Sequence, residues 1–263
     1  MSRIPIKLAL SLPSYDGRRV NAIPMLTVGQ AVGTIHYMTA QGSLLAHVFN
    51  RTLCEARQKR DAGVATHFCM LHDDIAPEAD WFQKLWAEYI KEPEGKRGVI
   101  SAVSPIKSPH MMTSTALDTD PWEPRKLTLE EVSRLPVTFD SKEASALVGA
   151  RGAPSGTWAN LLVNTGLMLF DLREPWVDGL VFSIRDFIQV KDGVPKAFVE
   201  PEDWRMSRYI HSQGYPVRAT RAVELAHYGA LGWTNQWQTE EPAAATGLAP
   251  VFPDPPPASE VFK

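Results

Sequence analysis

Strand-like and helix-like segments alternate along the first hundred residues, which predicts an α/β fold with a mostly parallel central sheet flanked by helices. Two further observations agree. Residues 65–71 (ATHFCML) carry only Thr66 and His67 as polar interruptions, as a strand covered on both faces should. That run ends in His72, Asp73 and Asp74, three polar side chains at the point where a strand leaves its sheet. In open α/β sheets, ligands bind at the carboxyl ends of the strands.

The elements follow in order. Ile6, Leu8, Leu10 and Leu12 alternate with Lys7, Ala9 and Ser11, the period of a strand, and PSYDG (13–17) reads as the turn that ends it. A helix is expected over 20–31 and a short strand over 34–38. Residues 43–60 form a helix with Leu44, Leu45, Val48, Phe49, Thr52, Leu53 and Ala56 as its apolar stripe and Ser43 as N-cap. Asn50, Arg51 and Arg57 lie off that stripe, where a ligand or solvent can be faced. After Asp74, Pro77 stands as a first helical residue with Glu78 and Asp80 in the first turn, and Trp81, Phe82, Leu85, Trp86, Tyr89 and Ile90 form the buried face. Residues 99–103 are another buried strand.

The pattern then breaks. Residues 104–156 are rich in Pro, Ser, Thr and charge, with one short helix at 128–134, and read as an irregular insertion or lid. LLVNTGLMLF (161–170) is strand-like but interrupted by Asn164, Thr165 and Gly166, which suggests a close backbone approach or a bulge. A short helix is expected at 175–182 and a firm one at 200–213, led by Pro201, Glu202 and Asp203 and closed by Gly214. Residues 215–226 read as a strand ending in His227, Tyr228 and Gly229. Residues 1–240 make one domain, and the proline-rich 241–263 is a tail without regular structure.

Composition bounds the function. The chain has 263 residues, 44% hydrophobic and 22% charged, with a net charge of −3, so it lacks the basic balance of a general nucleic-acid binder. A local patch is enough for such binding, and Arg57, Lys59 and Arg60 form one small cluster and Arg18 with Arg19 another; their default reading is a solvated helix end and a loop. No apolar run approaches the roughly 20 residues that span a bilayer. The opening MSRIPIKLALSLPSYDG alternates, holds Lys7 and lacks a small-residue cleavage site, so it reads as a first strand rather than a signal peptide. Cys54 and Cys69 are expected to be buried free thiols in a reducing compartment, hence a cytoplasmic protein.

Chemistry-bearing residues stand at three element ends: Asp73 with Asp74, Glu202 with Asp203, and His227. Each alone has a structural explanation, since acids in a first turn stabilise a helix and a histidine is an ordinary polar exit from a strand. Together they suit a hard divalent cation, Mn²⁺ or Mg²⁺, which takes carboxylate oxygens with an imidazole and leaves positions open for phosphate. A carboxylate at the head of another helix can then act as general base.

At these residues the chain resembles the nucleotide-sugar glycosyltransferases of the GT-A fold, close in pattern to the large family 2 group and its phage-encoded members. The resemblance covers 6–229. PSYDG is similar to the nucleoside-binding loop after the first strand, which implicates Pro13, Tyr15 and Asp16, and Asn50 in FNRTLCEA falls where those enzymes have a helix asparagine. MLHDDIAPEADWFQKL resembles their Asp-x-Asp element, with His72 in place of the first acid, Asp73 in the variable middle and Asp74 as the metal ligand. NTGLMLF resembles the acceptor-side segment, EDWRMSRYIHSQGYPV the helix that carries the base, and HYG the segment with the metal-binding histidine.

The resemblance implies transfer of a sugar from a nucleotide-diphosphate donor, by default a UDP-sugar, to an acceptor hydroxyl. Asp74 and His227 would hold Mn²⁺ or Mg²⁺, Asp203 would be the base of an inverting reaction, and Glu202 would position donor or acceptor. Pro13, Tyr15, Asp16, Asn50, Arg57, His72 and Asp73 would line the donor site. The phage-like pattern allows a hydroxymethylated pyrimidine in DNA as acceptor, in the host cytoplasm, with Lys107, His110, Arg125, Lys126 and Arg151 of the insertion as its contact surface; a glycan or protein is the other acceptor class. A metal-dependent hydrolase of nucleotide sugars or phosphate esters would use the same carboxylates, and a non-catalytic sugar- or nucleotide-binding module would use the eight tryptophans.

Overall fold

A computed structural model describes residues 4–15, 22–107, 112–152, 157–229 and 232–234. In chain order its elements are β1 (Ile4–Ser14), α1 (Ala22–Ala31), β2 (Val32–Gln41), α2 (Leu45–Asp61), β3 (His67–Leu71), β4 (Ile75–Pro77), α3 (Trp81–Tyr89), β5 (Val99–Ala102), β6 (Met112–Leu117), β7 (Arg125–Thr128), α4 (Leu129–Ser133), β8 (Thr138–Phe139), α5 (Ser141–Val148), β9 (Leu161–Leu162) and β10 (Leu167–Asp171). A 3-10 turn at Pro175–Gly179 follows, then β11 (Arg185–Lys191), β12 (Val194–Glu200), α6 (Glu202–Ser212), β13 (Val217–Thr220), β14 (Leu225–Tyr228) and β15 (Gly232–Thr234).

The central sheet has seven strands in the order β2-β1-β3-β10-β5-β13-β8. β1 runs parallel to both β2 and β3, and β5 parallel to β13. β10 opposes both β3 and β5, so those two point the same way and β2, β1, β3, β5 and β13 share one direction. The expected architecture therefore stands, an α/β fold with a mostly parallel sheet flanked by helices. Strand periodicity explains how both sheet faces are filled. Leu8, Leu10, Leu12, Cys69 and Leu71 enter one core with Trp81, Phe82 and Leu85 of α3. Ala9, Phe68 and Met70 enter the other with Val48, Phe49 and Leu53 of α2 and Met206 and Ile210 of α6.

Several expectations need correction. β1 continues through Pro13 to Ser14 instead of turning there. Its pairing with β3 stops at Ser11, so the missing N–H of Pro13 faces no β3 partner. α2 starts at Leu45 with Leu44, not Ser43, as its cap, and no side chain caps it. Pro77 does not open a helix. It ends β4, an edge strand of the small sheet β15-β14-β4, and α3 begins only at Trp81.

The insertion is more regular than expected. It holds β6, β7 and β8 together with α4 and α5, each helix opened by a capping box, Thr128 with Glu131 and Asp140 with Glu143. The expected helix at 175–182 is a 3-10 turn, and 215–226 divides into β13 and the start of β14. Cys54 is free but exposed, whereas Cys69 is free and buried as expected. Residues 241–263, with Arg18, Arg19 and His110, lie outside the described residues.

Candidate active site

The site is built where β3 leaves the sheet. The His72 amide donates to the Gly166 carbonyl (2.9 Å), at the start of the antiparallel strand β10, and the Asp73 amide donates to the Pro13 carbonyl (3.3 Å) at the end of β1. Gly166 fits tightly there: a Cβ would stand 3.0 Å from Asn164 Oδ1 and 3.4 Å from Ile75 Cγ1, so either side chain would have to give by a few tenths of an ångström. The buried Asp73 carboxylate accepts a hydrogen bond from Ser14 Oγ. It is thereby fixed to the end of β1.

After Asp74 the chain turns into β4, whose antiparallel register with β14 sets Ile75 opposite His227. The Tyr228 amide closes this junction on the Asp74 carbonyl at 2.8 Å. His227 Nδ1 lies 2.8 Å from the Pro105 carbonyl, which can only accept, so Nδ1 carries a proton. Nε2 faces Asp74 Oδ2, 3.4 Å away: in the protonated ring it donates to that carboxylate, and in the neutral ring it offers a lone pair to a cation. An imidazole oriented by a backbone carbonyl behind it is the usual arrangement of a metal-ligating histidine. Asp74 Oδ1 is buried without a hydrogen-bond partner among the described residues.

Lys107 completes the cluster. Its Nζ stands 2.5 Å from Asp74 Oδ2. Burial pushes the Asp74 carboxyl upward, but hydrogen bonds from His227 and Lys107 and the nearby His72 outweigh it and hold the group well below the ordinary carboxylate range. Burial carries His72 down to about 4, with Asp74 opposing and His227 and Lys107 adding to the fall. Its ring packs against Phe49, centroids 5.0 Å apart.

Among the described residues no three His, Cys, Asp or Glu side chains converge as a complete metal cage. An oriented imidazole and a carboxylate with one oxygen unsatisfied fit a hard cation whose remaining positions are filled by water and substrate phosphate.

The second group of acids reaches the same sheet edge from α6. This helix leads through a short connection into β13 and runs back along the sheet, so its head faces the carboxyl ends of the parallel strands. A ladder of contacts ties it there. Ser207 Oγ donates to the Asp203 carbonyl (2.9 Å) and receives the Val163 amide (3.0 Å). The next residue, Asn164, uses Nδ2 on the Ala102 carbonyl and Oδ1 on the Gly166 amide. Burial first, then the negative charge of Glu202, pushes the Asp203 carboxyl up to about 7, against the Trp204 amide and the Lys126 charge. Burial also raises Glu202.

An ionic clamp fixes the same helix. Arg208 holds Asp118 of the insertion through Nε at 3.0 Å and Nη2 at 2.6 Å, and also pairs with Glu200.

The expected site residues divide accordingly. Pro13, His72, Asp73, Asp74 and His227 meet at the β3 exit, and Glu202 with Asp203 head α6 on the same edge. Tyr15 is exposed just beyond β1, and Asp16 lies outside the described residues. Asn50 exchanges both of its amide hydrogen bonds with the Phe182 backbone, at 2.7 and 2.9 Å, and Arg57 donates to the Val177 and Leu180 carbonyls. Both thus brace the segment around 177–182. Asn50 also lines a cavity of about 460 Å³ with Thr39, Ala40, His47 and Arg51, beside the carboxyl end of β2.

Within the insertion, Arg125 pairs with Glu131, Arg151 lies 4.1 Å over the Trp158 ring, and Lys107 belongs to the Asp74 cluster. Ser14 and Lys107 are members of the site that sequence reasoning did not assign to it. Ser14 was legible as part of PSYDG, whereas Lys107 is an ordinary lysine in an irregular stretch.

No family model matches the chain, and no curated protein matches it. Its likeness is to solved structures. The crystal structure of A197 from STIV aligns over 85% of this chain and 86% of its own at 12% identity, with a TM-score of 0.48. The inositol-1-phosphate CTP transferase from T. maritima aligns over 85% and 89% at 9% identity, with a TM-score of 0.35. At such identities and scores neither assigns a residue or a reaction to this chain.

Proposed function

We propose that this chain is a metal-dependent glycosyltransferase that moves a sugar from a nucleotide-diphosphate donor, a UDP-sugar in the first instance, to an acceptor hydroxyl. The observation that carries the reading is the pairing of two chemistries on one sheet edge. Asp74 Oδ2 faces the ring of the oriented His227 at 3.4 Å, and α6 brings a carboxyl with a pKa of about 7 to the same edge.

Asp74 and His227 would hold Mn²⁺ or Mg²⁺, which when bound supplies Lewis-acid stabilisation of the leaving diphosphate. Asp73, anchored on Ser14, and His72, packed on Phe49, shape the donor side with Pro13 and Tyr15. Asn50 and Arg57 hold its wall. Asp203 takes the proton of the acceptor hydroxyl as that oxygen attacks the anomeric carbon from the face opposite the leaving group, so the configuration inverts. Glu202 raises the basicity of Asp203 through its charge and positions donor or acceptor.

For the acceptor, a glycan or protein is favoured over a hydroxymethylated pyrimidine in DNA, because Arg125 and Arg151 of the insertion already have partners within the fold. A carboxyl with this pKa can also activate water, so hydrolysis of the donor is the rival reaction.

Two variants test the assignment of roles. Asp203→Asn should retain donor binding by calorimetry and lose turnover by about 10²–10⁴-fold. Asp74→Ala should lose the metal dependence of donor binding. Unchanged turnover in Asp203→Asn sinks the assignment of the base.

A further inference from the structure

Asp74 already has a cation. Lys107 Nζ lies 2.5 Å from Oδ2, the same oxygen that faces His227 Nε2 at 3.4 Å. A divalent ion held by the Asp74 carboxylate would bring a second cation close to the ammonium, and at such range two cations repel strongly. The ammonium leaves the job unfinished, because Asp74 Oδ1 stays buried and without a partner.

Resting on the donor reading above, we propose that Lys107 is a latch on the metal site. Its ammonium holds Asp74 closed to a divalent cation until the donor's diphosphate draws it away, so that metal and donor enter together.

The latch is built to open. The two side chains are 38% and 32% exposed, so the pair is screened by solvent and is readily exchanged for a more highly charged partner. Lysine carries a compact charge on a flexible stem and binds phosphate well as a point charge. The closed position is also shaped by the fold. The Lys107 stem lies against Gly229, where a Cβ would stand 3.0 Å from Lys107 Cδ. The glycine of HYG therefore makes room for the lysine beside the histidine it follows.

The test titrates Mn²⁺ alone, followed by electron paramagnetic resonance, into the wild type, Lys107→Met and Gly229→Ala, and then repeats the titration with UDP present. Lys107→Met should bind Mn²⁺ alone about tenfold tighter than the wild type, because the competing charge is gone. Gly229→Ala, which displaces the stem without removing the charge, should fall between them. UDP should tighten Mn²⁺ binding much more in the wild type than in Lys107→Met. Equal Mn²⁺ affinity in the wild type and Lys107→Met overturns the latch, as does a UDP effect of the same size in both. If Lys107→Met tightens Mn²⁺ but UDP binds neither protein, the closure stands and the nucleotide reading falls. Asp74→Ala, combined with Lys107→Met, must abolish the gain.

Discussion

Asp203 is the residue whose ionisation the chemistry needs. Its carboxyl titrates at about 7 because burial and the neighbouring Glu202 charge both disfavour the anion. A general base acts as the anion, so turnover should rise with pH through about 7 and level off above it. Glu202→Gln removes one of the two causes and should move the inflection to lower pH; a pH–rate profile with the inflection unmoved contradicts the coupling.

The same shift has a sign in stability. Between the ordinary value of 3.8 and about 7 the folded state holds a proton that the unfolded state has released, so stability falls as pH rises through that window. Asp203→Asn, which never ionises, should melt a few degrees higher than the wild type at pH 8 and close to it at pH 4, by calorimetry. A variant that is both dead and stabilised at alkaline pH is the expected mark of a carboxyl held ionisable for function.

At the scale of elements, α6 has to be rigid for its head to be useful, and the Arg208 clamp supplies much of that rigidity. Arg208 bridges Asp118 and Glu200, which are only 20% and 9% exposed; its loss strands Asp118, while Glu200 keeps Arg205. Arg208→Met should lower stability by about 1–3 kcal/mol, read from urea unfolding, since the partly exposed groups fall short of a fully buried pair. Asn50→Ala breaks two hydrogen bonds to Phe182 and should lower it by about 1–3 kcal/mol.

Legibility also varied by element. β3, α2 and α6 were readable because each is long or apolar enough to show its period. α4, of five residues, lies within the short helix expected at 128–134, whereas α5, of eight, is too short to show a period and is marked only by its capping box. The β11–β12 hairpin had a turn signal in Asp192 and Gly193, both at positive φ. Its strands do not alternate, because one face packs Phe187 and Phe198 on Trp122 while the other exposes Ile188, Val190 and Val199. Pro77 misled because a proline followed by acids also marks a helix start, and pairing with β14 overrode that local preference.

Over the whole molecule, one sheet direction gathers the site. β1, β3 and the α6 helix before β13 all deliver their polar ends to the same edge, and this much followed from strand order. The partnership of Asp74 with His227 did not follow from spacing. It depends on the register of a three-residue edge strand, β4, against β14 near the far end of the described chain. Lys107 depends on where an irregular segment returns. Among the described residues no helix is long and apolar enough to cross a membrane.

The most direct measurement supplies a panel of nucleotide-diphosphate sugars with simple glycans, a protein acceptor or hydroxymethylated DNA, with and without Mn²⁺, and identifies products by mass spectrometry. Glycosyl transfer gives an acceptor heavier by one sugar, released nucleotide diphosphate in equal amount, dependence on Mn²⁺, and loss of the product in Asp203→Asn. Free sugar at the same rate with or without acceptor, or a product that persists in Asp203→Asn, rules it out.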